Sequence, residues 1–246
     1  METTKKEWFA GWFDSPWYHL LYQNRDEKEA EGFVASLMQK IPLPPNASVL
    51  DLACGKGRHA RFVHSLGHQV LGVDLSSNSI QAAKAFEEEG LQFRTGDMRE
   101  PQGIEAFDLV LNLFTSFGYF ESEEDNLRVL DSIRKSLKPG GLLLLDFMNT
   151  VRVLRNLIPE DTIERGGVTF HLKRFLENGC IVKSIAFEAG GEQHHYFEKV
   201  QTLRREDFFR YFINSGLELV LLSGNYAMEP FEEERSDRMI FLVRKT

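Results

Sequence analysis

The stretch Ser48–Ser79, SVLDLACGKGRHARFVHSLGHQVLGVDLSSNS, constrains the fold more than any other part of this chain. A short apolar run ends in an acid, Asp51. A loop of small residues follows, with Ala53, Cys54, Gly55 and Gly57. A helix-like segment comes next, and then a second apolar run that ends in Asp74. Apolar runs of this length around an amphipathic segment read as strand, tight turn, helix, strand. Gly55 and Gly57 let the backbone turn sharply and come close to a ligand, which a Cβ would prevent.

Asp74, at the tip of the second strand, lies where a carboxylate can accept hydrogen bonds from both hydroxyls of a ribose. Gly55-Lys-Gly57-Arg-His-Ala60 fits the dinucleotide pattern G-x-G-x-x-G/A, and Asp74 follows at close to the expected spacing. Taken alone, the loop is open between a nicotinamide cofactor and S-adenosylmethionine. A glycine turn with no ligand is the bland reading, and two strand-end acids flanking one turn argue against it.

The remainder of the first 150 residues separates these possibilities. Leu91–Arg94 reads as a third strand and is followed by Gly96-Asp97-Met98, whose acid suits the exocyclic amino group of an adenine. Phe107–Asn112 reads as a fourth strand that enters an apolar loop, Leu113–Tyr119. A helix is expected over Asp125–Leu137, a turn at Lys138-Pro139-Gly140-Gly141, and a buried strand at Leu142–Phe147. The ordered series VLDLACGKG, GVDLS, GDM, FDLVLN and LKPGGLLLLDF resembles the motif set of class I S-adenosylmethionine-dependent methyltransferases, in particular the branch that methylates small molecules at N or O. One position departs from the acid-x-Gly-x-Gly-x-Gly loop of that family: its first glycine is Ala53 here.

The resemblance implies a doubly wound α/β fold. Its seven-stranded, mostly parallel sheet is Rossmann-like, with the last strand antiparallel to the others. It also implies a cofactor site, residue by residue. Ala53, Gly55 and Gly57 would offer backbone contacts to the methionine portion, and Asp51 would support that loop and the amino group. Asp74 would hold the ribose, with Leu75 against the adenine. Asp97 would accept from the adenine amino group, with Met98 packed on the ring. Asn112, Leu113 and Phe114 would border the transferable methyl. S-adenosyl-L-homocysteine would be the product. For each strand-end acid the plain alternative is a turn or helix cap.

Acceptor residues are less determined by pattern. Tyr119 lies on the loop after the fourth strand, on the expected active-site side of a parallel sheet. His195 lies in the segment after Asn149, beside His194 and Tyr196. Both Tyr119 and His195 are candidate catalytic residues. Methyl transfer from a sulfonium needs alignment more than proton transfer, so an obligatory catalytic side chain is not required.

Residues 1–44 read as an N-terminal aromatic and helical lid. Trp8–Tyr22 is dense in aromatic rings, and an amphipathic helix follows near Glu27–Gln39. Aromatic faces attract cations such as a sulfonium, which makes Tyr18 and Tyr22 candidates for covering the cofactor. Residues 45–150 form the cofactor-binding core. Residues 151–202 read as a small antiparallel β insertion after the fifth strand, with strands at Val168–Phe175, Ile181–Ala189 and His194–Val200, forming a candidate substrate roof. Residues 203–246 return to the core with a helix, Arg204–Ser215, and strands at Glu218–Ser223 and Met239–Arg244.

Net charge is −8, which argues against a large nucleic-acid footprint. The N-terminus lacks the apolar core of a signal peptide, and no run is long enough to span a bilayer. Cys54 and Cys180 have no metal or redox spacing, and the histidine pair lacks a third ligand, so no metal is expected. The expectation is a cytoplasmic enzyme, monomer or homodimer, acting on a small molecule. A nicotinamide-dependent oxidoreductase and a non-catalytic S-adenosylmethionine-binding module are the competing readings.

Overall fold

The runs between Ser48 and Asn112 that read as strands are short, rich in Val and Leu, and free of proline. Such runs suit strands that are covered on both faces by crossover helices. The computed structural model describes residues 7–22 and 27–246. In chain order these form helices α1 (Trp8–Trp12), α2 (Pro16–Leu21) and α3 (Glu27–Lys40), then strand β1 (Ser48–Leu52), helix α4 (Arg58–Ser65), β2 (Gln69–Asp74), α5 (Ser77–Ala83), β3 (Leu91–Thr95) and β4 (Phe107–Asn112). Next come α6 (Glu123–Ser136), β5 (Leu137–Met148) and α7 (Thr150–Arg155). Four strands follow: β6 (Glu160–Arg165), β7 (Val168–Glu177), β8 (Cys180–Ala189) and β9 (Glu192–Gln201). The chain ends with α8 (Arg205–Asn214), β10 (Leu217–Ser223) and β11 (Arg238–Lys245). Two units result, one of residues 7–22 with 154–202 and one of residues 27–153 with 203–246.

The larger unit holds a seven-stranded sheet in the order β10-β11-β5-β4-β1-β2-β3. Strands β3, β2, β1, β4 and β5 are parallel. β11 runs antiparallel to both β5 and β10, as the resemblance implied. Phe33, Val34 and Leu37 of α3 and Ala60 and Val63 of α4 belong to one core with Val49, Val70, Leu109, Leu111 and Leu144. Five strands therefore end at one carboxyl edge, and the turns that leave this edge carry the motif residues.

Two expectations need correction. Lys138–Gly141 is not a free turn. It lies inside β5, where the register with β4 slips between the pairs Phe107–Leu137 and Leu109–Leu142. Gly140, at φ 73°, takes up the irregularity at no steric cost. The insertion has four strands where three were expected. β6 (EDTIER) has no apolar alternation, and backbone pairing with β7 makes it a strand.

In the smaller unit the four strands lie in the order β6-β7-β8-β9, all antiparallel. Its core joins Trp12 and Leu21 to Phe170, Leu172, Ile185 and Phe187. Glu198 is the polar centre of this unit. It accepts from Trp12 Nε1 at 2.8 Å and from the Tyr22 hydroxyl at 2.7 Å, and Lys183 Nζ lies 3.5 Å from its second oxygen.

Candidate active site

The turn after β1 is built from left-handed backbone. Ala53, Gly55 and Gly57 have φ of 67°, 55° and 78°. The amides of Ala53 and Cys54 both donate to the Val73 carbonyl, at 2.8 and 3.0 Å, which fastens the turn to β2. A Cβ at Gly57 would sit 2.4 Å from Phe93 Cε1, so the Phe93 ring occupies the space under that residue. A Cβ at Gly55 would meet nothing within 4 Å. This open backbone is where a ligand can approach.

Asp74 closes the turn from the side. One carboxylate oxygen accepts from the Gly55 amide at 2.7 Å and the other from the Ser76 amide at 2.8 Å. Leu75 beside it is 40% exposed, an apolar surface next to the acid.

Asp51 is buried, and its Oδ2 has no hydrogen-bond partner among the described residues. Burial, followed by the negative charge of Asp74, pushes its pKa up to about 7, although the Ala60 amide and the Arg58 charge pull the other way. A buried carboxylate with an open lone pair fits an ammonium group. Cys54 packs in the same turn. Burial and then the two aspartates hold its thiol well above the usual range, consistent with a packing role.

Asp97 follows β3. Burial pushes its pKa up, but the hydrogen bonds and charge of Arg99, with the charge of Arg128, outweigh this and lower it. Arg99 Nη2 donates to Asp97 Oδ2 at 2.6 Å, and the Arg99 amide donates to Oδ1 at 2.8 Å. Met98 is half-buried between them.

Asn112, the last residue of β4, is fully buried. Its Nδ2 donates to the Leu52 carbonyl at 3.1 Å, and its Oδ1 has no partner among the described residues. Leu113 is buried. Phe114 and Thr115 are both left-handed, at φ 55° and 59°. The Phe114 ring stacks on His59 with centroids 5.0 Å apart and meets Phe33 edge-on at 5.5 Å. Tyr119, further along this loop, is half-buried. Burial pulls the Arg238 pKa down, and the charge and hydrogen bond of Asp146 outweigh it and hold the pKa above its usual value.

The larger unit thus places Asp51, Ala53, Gly55, Gly57, Asp74, Leu75, Asp97, Met98, Asn112, Leu113 and Phe114 on the strand ends and turns at one sheet edge. Tyr119 lies in the larger unit as well, and the remaining expected residues, Tyr18, Tyr22 and His195, belong to the smaller one. Tyr18 packs against Trp12, Phe13 and Tyr22, and the Tyr22 hydroxyl is committed to Glu198. His195 is exposed on β9, with its Nε2 2.8 Å from Ser184 Oγ.

Sequence reasoning passed over Asp146, Arg238 and Arg99. Asp146 had a readable signal, because it is a lone acid within the apolar run Leu142–Met148. Arg238 had none. Its role depends on β11 lying beside β5.

A seven-stranded sheet of this order, with a glycine turn after β1 and acids ending β2 and following β3, is the arrangement that the resemblance to class I S-adenosylmethionine-dependent methyltransferases implied. Comparison with known proteins agrees. Residues 49–141 match the "Methyltransferase domain" family. The chain is 26% identical over 216 residues to YqeM of Bacillus subtilis (strain 168), a protein assigned to the methyltransferases, covering 83% of this chain and 86% of that one. It is 24% identical over 217 residues to a dTDP-3-amino-3,6-dideoxy-alpha-D-glucopyranose N,N-dimethyltransferase of Streptomyces fradiae, covering 84% of each. In structure it is similar to an S-adenosylmethionine-dependent methyltransferase from Clostridium acetobutylicum ATCC 824. The TM-score is 0.78 at 20% identity, over 96% of this chain and 97% of that one.

Proposed function

We propose that this enzyme methylates a small-molecule acceptor at nitrogen or oxygen, with the cofactor seated on the turn after β1. The observation that carries the reading is the pairing of an open left-handed turn at Gly55 with the orphaned, buried Oδ2 of Asp51. In this reading Asp51 faces the amino group of the methionine portion. Asp74 takes the ribose hydroxyls and Leu75 the adenine face. Asp97 accepts from the adenine amino group through the lone pairs that Arg99 leaves, beside Met98. Asn112, Leu113 and Phe114 border the methyl.

When bound, S-adenosylmethionine supplies an activated methyl group and leaves as S-adenosylhomocysteine. The chain's own task is to hold an acceptor lone pair in line and to keep water out. Tyr119 is placed on the loop that would meet the acceptor. The acidic balance of the chain supports a partner that is neither a nucleic acid nor a membrane, and no helix among the described residues is long and apolar enough to cross a bilayer. We place the enzyme in the cytoplasm as a monomer or homodimer.

Calorimetric titration with S-adenosylmethionine and S-adenosylhomocysteine tests the cofactor half of this reading. Saturable binding of both is expected, and binding of neither would sink it. A panel of amine and hydroxyl acceptors, read by homocysteine release, tests the other half. The amino-sugar relative makes amines the first arm. Turnover confined to polypeptide or RNA would overturn the small-molecule assignment.

A further inference from the structure

We infer that Asp146 and Arg238 are positioning residues for methyl transfer, holding Phe114 and Thr115 in the one backbone shape that sets the Phe114 ring at the methyl site. The inference rests on the proposed function for the location of the methyl. The pair itself rests on geometry alone.

Two consecutive non-glycine residues in the left-handed region are uncommon, and for a β-branched residue such as Thr115 the conformation is a true outlier. Such backbone persists only where its surroundings over-determine it. Here they do so through a single buried ion pair. Asp146 Oδ2 accepts from the Phe114 amide at 2.8 Å, and the Asp146 carbonyl accepts from the Thr115 amide at 3.0 Å. Arg238 Nε donates to Asp146 Oδ1 at 2.8 Å, and its Nη2 donates to Thr115 Oγ1 at 2.8 Å. The Asp146 side chain is fully buried and that of Arg238 is 19% exposed. The Tyr226 hydroxyl lies 3.5 Å from Asp146 Oδ2, and the Tyr226 ring is 5.8 Å from that of Phe114.

The planar fork of the guanidinium lets one side chain engage both Asp146 and the Thr115 hydroxyl, which an ammonium cannot do with fixed geometry. The pair also bridges β5 and β11, adjacent antiparallel strands with Ile240 opposite Asp146. The turn is therefore referred to the rigid centre of the sheet. Neither side chain needs to touch cofactor or acceptor. They act through the turn, and a displacement of about 1 Å at a methyl site is enough to cost on the order of a hundredfold in rate.

The test uses the full chain with methyl-13C S-adenosylmethionine, followed by NMR of the bound methyl group, and needs no known acceptor. In the parent protein the methyl resonance should be shifted from its free position by the Phe114 ring. Arg238→Met should move the resonance toward the free value or split it, while S-adenosylhomocysteine affinity stays within about twofold, as for a site not in contact. Adding Thr115→Gly should return the resonance toward the parent position, because glycine adopts the left-handed shape without strain. Arg238→Lys, which keeps the charge and not the fork, should lie between parent and Arg238→Met, and it serves where Arg238→Met does not fold. A parent-like resonance in Arg238→Lys and Arg238→Met overturns the inference. So does a displaced resonance that Thr115→Gly leaves displaced. Failure of the parent to bind the labelled cofactor would instead strike the proposed function itself.

Discussion

Asp51 is the residue whose chemistry the fold alters most. Its pKa in the folded chain is raised from 3.8 to about 7, chiefly by burial. The folded state therefore keeps a proton that the unfolded chain has already released across that window. Stability without ligand should fall as pH rises from about 4 to about 7 and level off above, by on the order of 4 kcal/mol in all. Asp51→Asn should flatten this slope, and urea titrations at pH 5 and pH 8 measure it. A slope that Asp51→Asn leaves unchanged would show that Asp51 is charged in the folded state. An ammonium at Oδ2 would favour the carboxylate, so cofactor binding near pH 6 should release a proton. Calorimetry in buffers of different ionisation enthalpy detects that release.

Asp74 works at the same scale by holding two amides at once. Asp74→Ala removes both acceptors from the turn and should weaken S-adenosylhomocysteine binding by roughly tenfold or more, since hydrogen bonds to a charged group contribute about 1.5–3 kcal/mol each. Unchanged affinity would detach Asp74 from the cofactor.

At the scale of elements, the turn after β1 is shaped as much by β3 as by its own glycines. The Phe93 ring fills the space beside both Gly57 and Gly72, where added Cβ atoms would lie 2.4 and 2.5 Å from it. Gly72→Ala keeps an ordinary strand conformation, so its cost is steric alone. It should destabilise the protein by about 1–3 kcal/mol through overpacking, visible as a lower melting temperature. Gly57→Ala adds a left-handed conformation at φ 78° and should cost more. Equal melting temperatures for the two variants would show that the backbone term is small. The glycine pattern was legible in the sequence, whereas the ring beneath it was not, because Phe93 reaches these positions only through the pairing of β2 with β3. The charged strand β6 was hidden for a similar reason. Its neighbour β7 supplies what its own side chains do not.

At the scale of the whole molecule, two units are assembled from alternating stretches of chain, and each has its own polar key. In the smaller unit this is Glu198, shared by Trp12, Tyr22 and Lys183. Glu198→Ala leaves a largely buried lysine without that carboxylate and should cost about 3–5 kcal/mol. Tryptophan fluorescence should then report loss of the Trp12 environment at lower denaturant, and an unchanged midpoint would count against Glu198 as the centre of this unit. In the larger unit the corresponding device is Asp146 with Arg238. Local pattern was sufficient for the motif strands, the glycine turn, the strand-end acids and the order of helix and strand along the chain. Each of these is written in apolar periodicity, backbone permissiveness or a residue at a run's end, all properties of near neighbours. Tertiary structure alone decided which distant partners complete them: Phe93 under Gly57, Arg238 on Asp146, and Glu198 against Tyr22. Such partners are chosen by strand order and register, which bring together residues that no local pattern relates.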